Sequence, residues 1–195
     1  MTITSLIIAA VVAMSLEPEP SFICEPYIDF SNDGERQRWR VVNDGVMGGL
    51  SSGALQFEKG AMIYEGTINT NGGGFSSIRR SVDKGALKDV VALRFVLKSD
   101  GRQYKVSMRS SARVRGRRVA FQAPIEAENT NEWAEATAGF DQLKGSIFGR
   151  PIANAVFESA QATQIGIILA DGMDGPFRVE IKSIDLCRIG EEKRN

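Results

Sequence analysis

Histidine is absent from the 195-residue sequence. That absence removes Ser-His-Asp and Cys-His nucleophile systems, His-ligated zinc and imidazole proton transfer. Catalysis would have to run on carboxylates, tyrosine, lysine or a bound cofactor, and no dinucleotide or P-loop glycine pattern is present to hold one. No cofactor is expected. Asp44, Glu65, Asp100 and Asp171 could supply the paired carboxyl groups of a glycoside hydrolase, but sequence spacing does not set their separation in space. Asp171-Gly172-Met173-Asp174-Gly175 offers oxygen ligands to calcium, yet lacks the carboxylate density and terminal Glu of an EF-hand. It reads as a hairpin turn before Phe177, and no metal site is expected.

The densest run of unusual residues is Trp39 to Gly53. A strand-like Trp39 to Val42 leads into Asn43-Asp44-Gly45, two apolar residues and Gly48-Gly49. Three glycines within five residues lose much backbone entropy on folding, and they make sense where backbone turns sharply or approaches closely. Asn43 and Asp44 can bond nearby backbone and shape the turn. The loop is either a tight corner of a β-sandwich, with Val46 and Met47 plugging the end of the core, or a binding surface on a rigid scaffold.

Asn43-Asp44-Gly45-Val46-Met47-Gly48-Gly49-Leu50-Ser51 resembles the signature of the complex I intermediate-associated protein 30 family, and Gly73-Gly74-Phe75-Ser76-Ser77-Ile78-Arg79 resembles its second signature. Ser99-Asp100-Gly101-Arg102 with Tyr104, Phe148-Gly149-Arg150, Gln164-Ile165-Gly166 and Gly175-Pro176-Phe177-Arg178 follow in the family's order. With these six matches the resemblance covers roughly Ile28 to Ile184. A departure falls at Gly72, where the family more often carries a second Asn after the position of Asn71.

The resemblance implies an all-β jelly-roll sandwich of the galactose-binding-domain-like kind. It also implies a non-enzymatic protein-binding module, because mitochondrial members act as assembly factors or chaperones for respiratory complex I (NADH:ubiquinone oxidoreductase). A carbohydrate-binding module is the alternative suggested by the shared fold, with Trp39, Trp133, Tyr64 and Tyr104 as candidate aromatic faces.

Alternating segments recur along the chain at Tyr27 to Phe30, Ala54 to Phe57, Ala61 to Ile68, Phe75 to Val82, Val90 to Lys98, Gln103 to Ser110, Val119 to Ala123, Ile165 to Ala170 and Phe177 to Leu186. Turn signals at Glu58-Lys59-Gly60, Ser99-Asp100-Gly101, Arg115-Gly116 and Asp174-Gly175 suit antiparallel hairpins. Only Asn154 to Gln161 has helical character. The pattern alone predicts an all-β sandwich.

A hydrophobic content of 43% supports one sizeable core, and 24 basic against 24 acidic residues leave no net charge to nominate a partner. The charge is nevertheless segregated. Lys98, Arg102, Lys105, Arg109, Arg113, Arg115, Arg117 and Arg118 precede an acidic stretch of Glu126, Glu128, Glu132, Glu135 and Asp141. Pairing between strands carrying these runs would neutralise both; otherwise a basic hairpin is open to anionic lipid, polysaccharide or an acidic protein surface. Nucleic acid is not expected, because no aromatic platforms interleave with the arginines.

Residues 1–16 read as a signal peptide or hydrophobic leader, 17–26 as a linker, 27–188 as one domain and 189–195 as a polar tail. The leader implies an exported, periplasmic or membrane-associated protein, with a cytoplasmic one as the alternative. In an exported protein Cys24 and Cys187 are expected to pair; otherwise they are two inert buried thiols. The expected binding residues are Asn43, Asp44, Met47, Ser51, Asn71, Phe75, Arg79, Asp100, Arg102, Arg109 and Arg150. Their polar members are costly to bury unless bonded to one another. The expectation is that Asp44 and Arg79 brace the loops while Asn43, Met47 and Arg102 meet a partner.

Overall fold

The computed structural model of the protein describes residues 22–127 and 130–190. Period-two alternation becomes strand nearly everywhere. In Ala92–Ser99, Leu93, Phe95 and Leu97 are buried while Arg94, Val96 and Lys98 occupy the other face. In chain order the strands are β1 (Phe22–Asp29), β2 (Trp39–Asn43), β3 (Ser52–Glu58), β4 (Ala61–Ile68), β5 (Ser76–Ser81), β6 (Ala92–Ser99) and β7 (Tyr104–Val114). There follow β8 (Arg117–Pro124), β9 (Thr130–Gly139), β10 (Lys144–Ile147), β11 (Arg150–Pro151), β12 (Ala162–Leu169) and β13 (Gly175–Ile189).

These form two antiparallel sheets. The first has six strands in the order β3-β4-β13-β6-β9, with β1 also on β13; the second has seven, in the order β11-β10-β8-β7-β12-β5-β2. Strand β13 is the spine of the first sheet. Its first half pairs with β4, its second half with β1, and its other edge with β6. Tyr64, Phe95, Phe121, Met108, Ile167 and Phe177 fill the space between the sheets. The sandwich expected from the alternation, and the jelly-roll type expected from the resemblance, are what the chain adopts.

One charged pair lies inside this core. Arg80 points inward from β5 and donates to Glu35 at 2.9 Å and to the Tyr27 hydroxyl at 3.2 Å, while the Trp39 indole N–H donates to the same carboxylate at 3.0 Å. Glu35 sits in the four-residue helix α1 (Asp33–Arg36), whose start Asn32 caps by accepting from the Gly34 N–H. The network is satisfied on every side, which is the condition for burying such charges.

Several boundaries depart from expectation. β1 begins at Phe22, inside the predicted linker, because Cys24 pairs in register with Cys187 and the two form a disulfide. The leader lies outside the described residues, as does most of the tail. Asn154 to Gln161 is not a helix: Asn154 takes a φ of 61°, which breaks a right-handed run, and only the 3-10 turn Ser159–Gln161 remains. β9 was illegible because its inward positions Ala136 and Ala138 are too small to mark an apolar alternation. The Ser99-Asp100-Gly101 and Asp174-Gly175 turns are not hairpins. Each carries the chain from one sheet to the other, β6 to β7 and β12 to β13.

The charge runs also part company. Arginines of β7 and β8 belong to the second sheet, whereas β9, with Glu132 and Glu135, belongs to the first. Glu135 pairs instead with Arg94 of β6 at 3.6 Å. The arginines of the basic run on β7 and β8 and the acidic residues of β9 therefore stand on different sheets.

Candidate functional site

The two glycine-rich loops meet at one carboxylate. Asp44 is fully buried, and its Oδ1 accepts from the Ser51 N–H at 2.9 Å. Its Oδ2 accepts from the Ser51 hydroxyl at 2.6 Å, the Gly74 N–H at 2.6 Å and the Phe75 N–H at 3.2 Å. Burial alone would raise this carboxyl, but the Ser51 hydroxyl and the Gly74, Phe75 and Ser51 amides together hold it below the ordinary value of 3.8. The glycines follow from this hub. A Cβ on Gly49 would stand 2.3 Å from the Asp44 Cγ, and one on Gly73 would stand 2.3 Å from Oδ2, so any side chain at either position displaces the carboxylate. Asn43 is also engaged, accepting from the Ser76 hydroxyl at 2.6 Å.

A second hub ties the two crossovers together. Arg102 donates two bonds to Asp171, at 2.6 and 2.7 Å, and further bonds to the carbonyls of Met173 at 2.6 Å and Pro176 at 2.9 Å. The Arg102 guanidinium holds the Asp171 carboxyl below its usual range. Asp100 accepts from the backbone N–H of Arg102 at 3.0 Å and of Arg178 at 2.7 Å. Arg102, expected to meet a partner, is thus a brace. Arg79 shows the reverse: it lies on the outer face of the second sheet, and its buried Nε has no hydrogen-bond partner among the described residues. It does not hold the loops.

With Asp44 clamped beneath it, the first loop projects Met47 and Leu50 outward; the Val46 side chain, also expected to plug the core, lies outside what the structure describes. Met47 is 62% exposed, so it does not plug the core, and Leu50 is 68% exposed. Met47 lines a concavity of about 1020 Å³ with Val114, Arg115, Arg117, Phe148 and Arg150. Phe148 is 73% exposed and the Arg117 guanidinium lies over its ring at 5.4 Å. Met47 leaves the β2 edge of the second sheet and Phe148 tops the β10–β11 turn at the opposite edge, so that sheet's two edges converge on one hollow. Phe148, Arg115 and Arg117 were not among the expected residues. Their signal was an aromatic and basic residues placed at glycine turns, Arg115-Gly116-Arg117 and Phe148-Gly149-Arg150.

The remaining expected positions are scattered. Ser51 is buried against Asp44, Phe75 is half-buried, and Asn71 is exposed on the second loop. Arg109 is half-buried on the same outer face as Arg79. Of the candidate sugar platforms, Trp39, Tyr64 and Tyr104 are buried, whereas Trp133 is 39% exposed, with the Lys98 ammonium 4.8 Å and the Lys182 ammonium 5.9 Å from its ring centre. Among the described residues, no three histidine, cysteine or acidic side chains gather as metal ligands.

The model of the complex I intermediate-associated protein 30 family matches residues 28–181, the span that carries both hubs. The chain belongs to that family. No curated protein sequence matches it significantly. Among solved structures, the family member resembles a family 11 carbohydrate-binding module of a cellulosomal cellulase of Clostridium thermocellum, at 16% identity and a TM-score of 0.64, over 88% of this chain and 98% of that one. The Clostridium thermocellum module in complex with a β-1,3-1,4-mixed-linked tetrasaccharide gives the same identity and TM-score, over 87% of this chain and 98% of that one. A family 30 carbohydrate-binding module is 16% identical at a TM-score of 0.50, over 73% of this chain and 92% of that one. Identities this low establish a shared fold and carry no ligand with them.

Proposed function

We propose that the domain is a non-enzymatic protein-binding module of the assembly-factor or chaperone kind, and that its partner seats in the hollow between Met47 and Phe148. The observation that carries this is the composition of that hollow. An exposed methionine and an exposed aromatic, ringed by Arg115, Arg117 and Arg150, match the residue types that concentrate binding energy at protein interfaces. Methionine adds adaptability toward a partner's surface. The Asp44 hub orders the loop before binding, which lowers the entropy lost on association. Support for a non-catalytic role comes from the carboxylates themselves. Asp44 and Asp171 are locked in hydrogen bonds and held ionised, which suits bracing and not proton transfer. The Cys24–Cys187 disulfide supports work in an exported, oxidising setting.

The test separates a protein partner from a glycan. Met47→Ser combined with Phe148→Ser is expected to leave stability within about 0.5 kcal/mol per site, because both side chains are exposed, while abolishing crosslinked capture of a protein from native membranes. Wild-type protein is expected to pass unretarded through a mixed-linkage β-glucan column. Retention there, undiminished by the double substitution, would replace the protein partner with a carbohydrate.

A further inference from the structure

Arg40, Arg79, Arg109 and Arg118 share the outer face of the second sheet, with Arg113 opposite Arg118, and none of them pairs with a carboxylate among the described residues. Arg40 on β2 is the register partner of Arg79 on β5, and Arg79 is in turn opposite Gly166 on β12. Two residues along β12, Gln164 is opposite Arg109 on β7, and Arg109 is opposite Ala120 on β8, two residues from Arg118. Alternate positions on these strands, Ile78, Ile165, Met108 and Val119, are buried in the core, so the arginines point away from it. Gly166 makes the arrangement compact. A Cβ there would stand 2.5 Å from the Ile78 carbonyl oxygen and 3.3 Å from the Arg79 Cγ, so the bare glycine suits the backbone first and also leaves room for the arginine stem.

Burial sets Arg79 and Arg109 apart, since Arg113, Arg115, Arg117 and Arg150, which also lack a carboxylate among the described residues, are exposed. Arg80, Arg94, Arg102, Arg178 and Arg188 each face a carboxylate: Glu35, Asp185, Asp171, Glu65 and Glu25. Arg40, Arg79, Arg109 and Arg118 have none among the described residues, although Arg79 and Arg109 are half-buried. Burial first, then the charges of Arg109 and Arg40, push Arg79 down to about 10; burial, Arg118 and Arg40 lower Arg109. Grouping desolvated like charges costs stability, and a cluster of this sort is the mark of a site whose counter-charge arrives from outside.

We propose that this arginine face binds the carboxylates of an acidic segment of the partner protein. It rests on the protein-binding reading above and adds to it the chemistry of the partner. Arg118 joins the cluster while Arg117, next to it on β8, has the opposite parity and lines the hollow, so β8 presents one arginine to each. From β2 to β8 the row crosses four strand spacings, on the order of 19 Å, which exceeds the reach of one small anion and fits an extended chain bearing several carboxylates. Guanidinium groups supply the paired donors that carboxylates accept.

The experiment titrates the full chain with hexaglutamate, with hexaglutamine as neutral control and with inorganic phosphate and phosphatidylglycerol vesicles as the competing anion sources. Hexaglutamate is expected to bind and to weaken as salt rises. Arg79→Gln and Arg109→Gln are each expected to weaken it at least tenfold, while Arg188→Gln on the other sheet leaves it unchanged. Both face variants are expected to melt at or above the wild-type temperature, since each relieves repulsion. A purely structural arginine would instead melt early. Hexaglutamate binding that is absent, or that survives both face substitutions, overturns the proposal, as does binding confined to phosphate or to vesicles. If hexaglutamate fails while a protein still crosslinks at position 148, only the acidic-segment proposal falls. If no protein crosslinks there, the protein-binding reading falls by itself.

Discussion

Replacing both Cys24 and Cys187 by serine is expected to lower stability by about 4–5 kcal/mol in the chain-entropy account, because the bond closes a loop across 163 residues of sequence. Apart from its pairing with β13, little side-chain burial holds the strand at stake. Of the residues in β1, only Ile28 is fully buried, and the others are exposed or half-exposed along the edge of β13. The loss is therefore expected to reach Phe22 to Pro26 first, leaving the Arg80–Glu35 network in place. Denaturant melts of oxidised and serine-substituted protein measure it. A change below about 1 kcal/mol would mean that the unfolded chain gains little from the cross-link.

Asp44→Ala is the second large effect. It strands the Ser51, Gly74 and Phe75 amides beneath two loops that no other side chain bridges in the same way. At roughly 1–3 kcal/mol for each buried donor left unpaired, a total of about 3–4 kcal/mol is expected. In a domain of this size that corresponds to a drop in Tm on the order of 10 °C. The same carboxyl gives the effect a pH signature. Its folded pKa lies below the ordinary 3.8, so its contribution is fully present above that value and is lost as pH falls through the window beneath it. Wild type is accordingly expected to destabilise more steeply than Asp44→Ala on acidification below 3.8, with Asp171 leaving a residual slope in both. Parallel slopes would remove Asp44 from the role of hub.

Strand positions were legible where large apolar residues concentrate, as in β4, whose predicted bounds Ala61 to Ile68 match the observed strand. They were illegible where alanine does the inward packing, as in β9. The family motifs located both glycine loops, but motif residues do not announce which way they face. Arg102 proved to be a brace, and Arg79 does not hold the loops, for that reason. Arg102 stands at a crossover, where backbone carbonyls of the neighbouring crossover need a donor, and Arg79 stands at a strand position whose parity sends it outward. Parity follows from the register with β2 and β12, which spans distant parts of the chain and has no local signal. The turn chemistry of Asp171 to Gly175 likewise cannot distinguish a hairpin from a change of sheet, because the local backbone is satisfied in either case.

The most direct test of the protein-binding claim is a photoreactive residue placed at position 148 and activated in native membranes. The account predicts a discrete protein adduct that excess unlabelled wild type competes away and excess Met47→Ser protein does not. An adduct that both compete equally, or none while the same probe at a distant exposed position such as Met173 yields one, would contradict it.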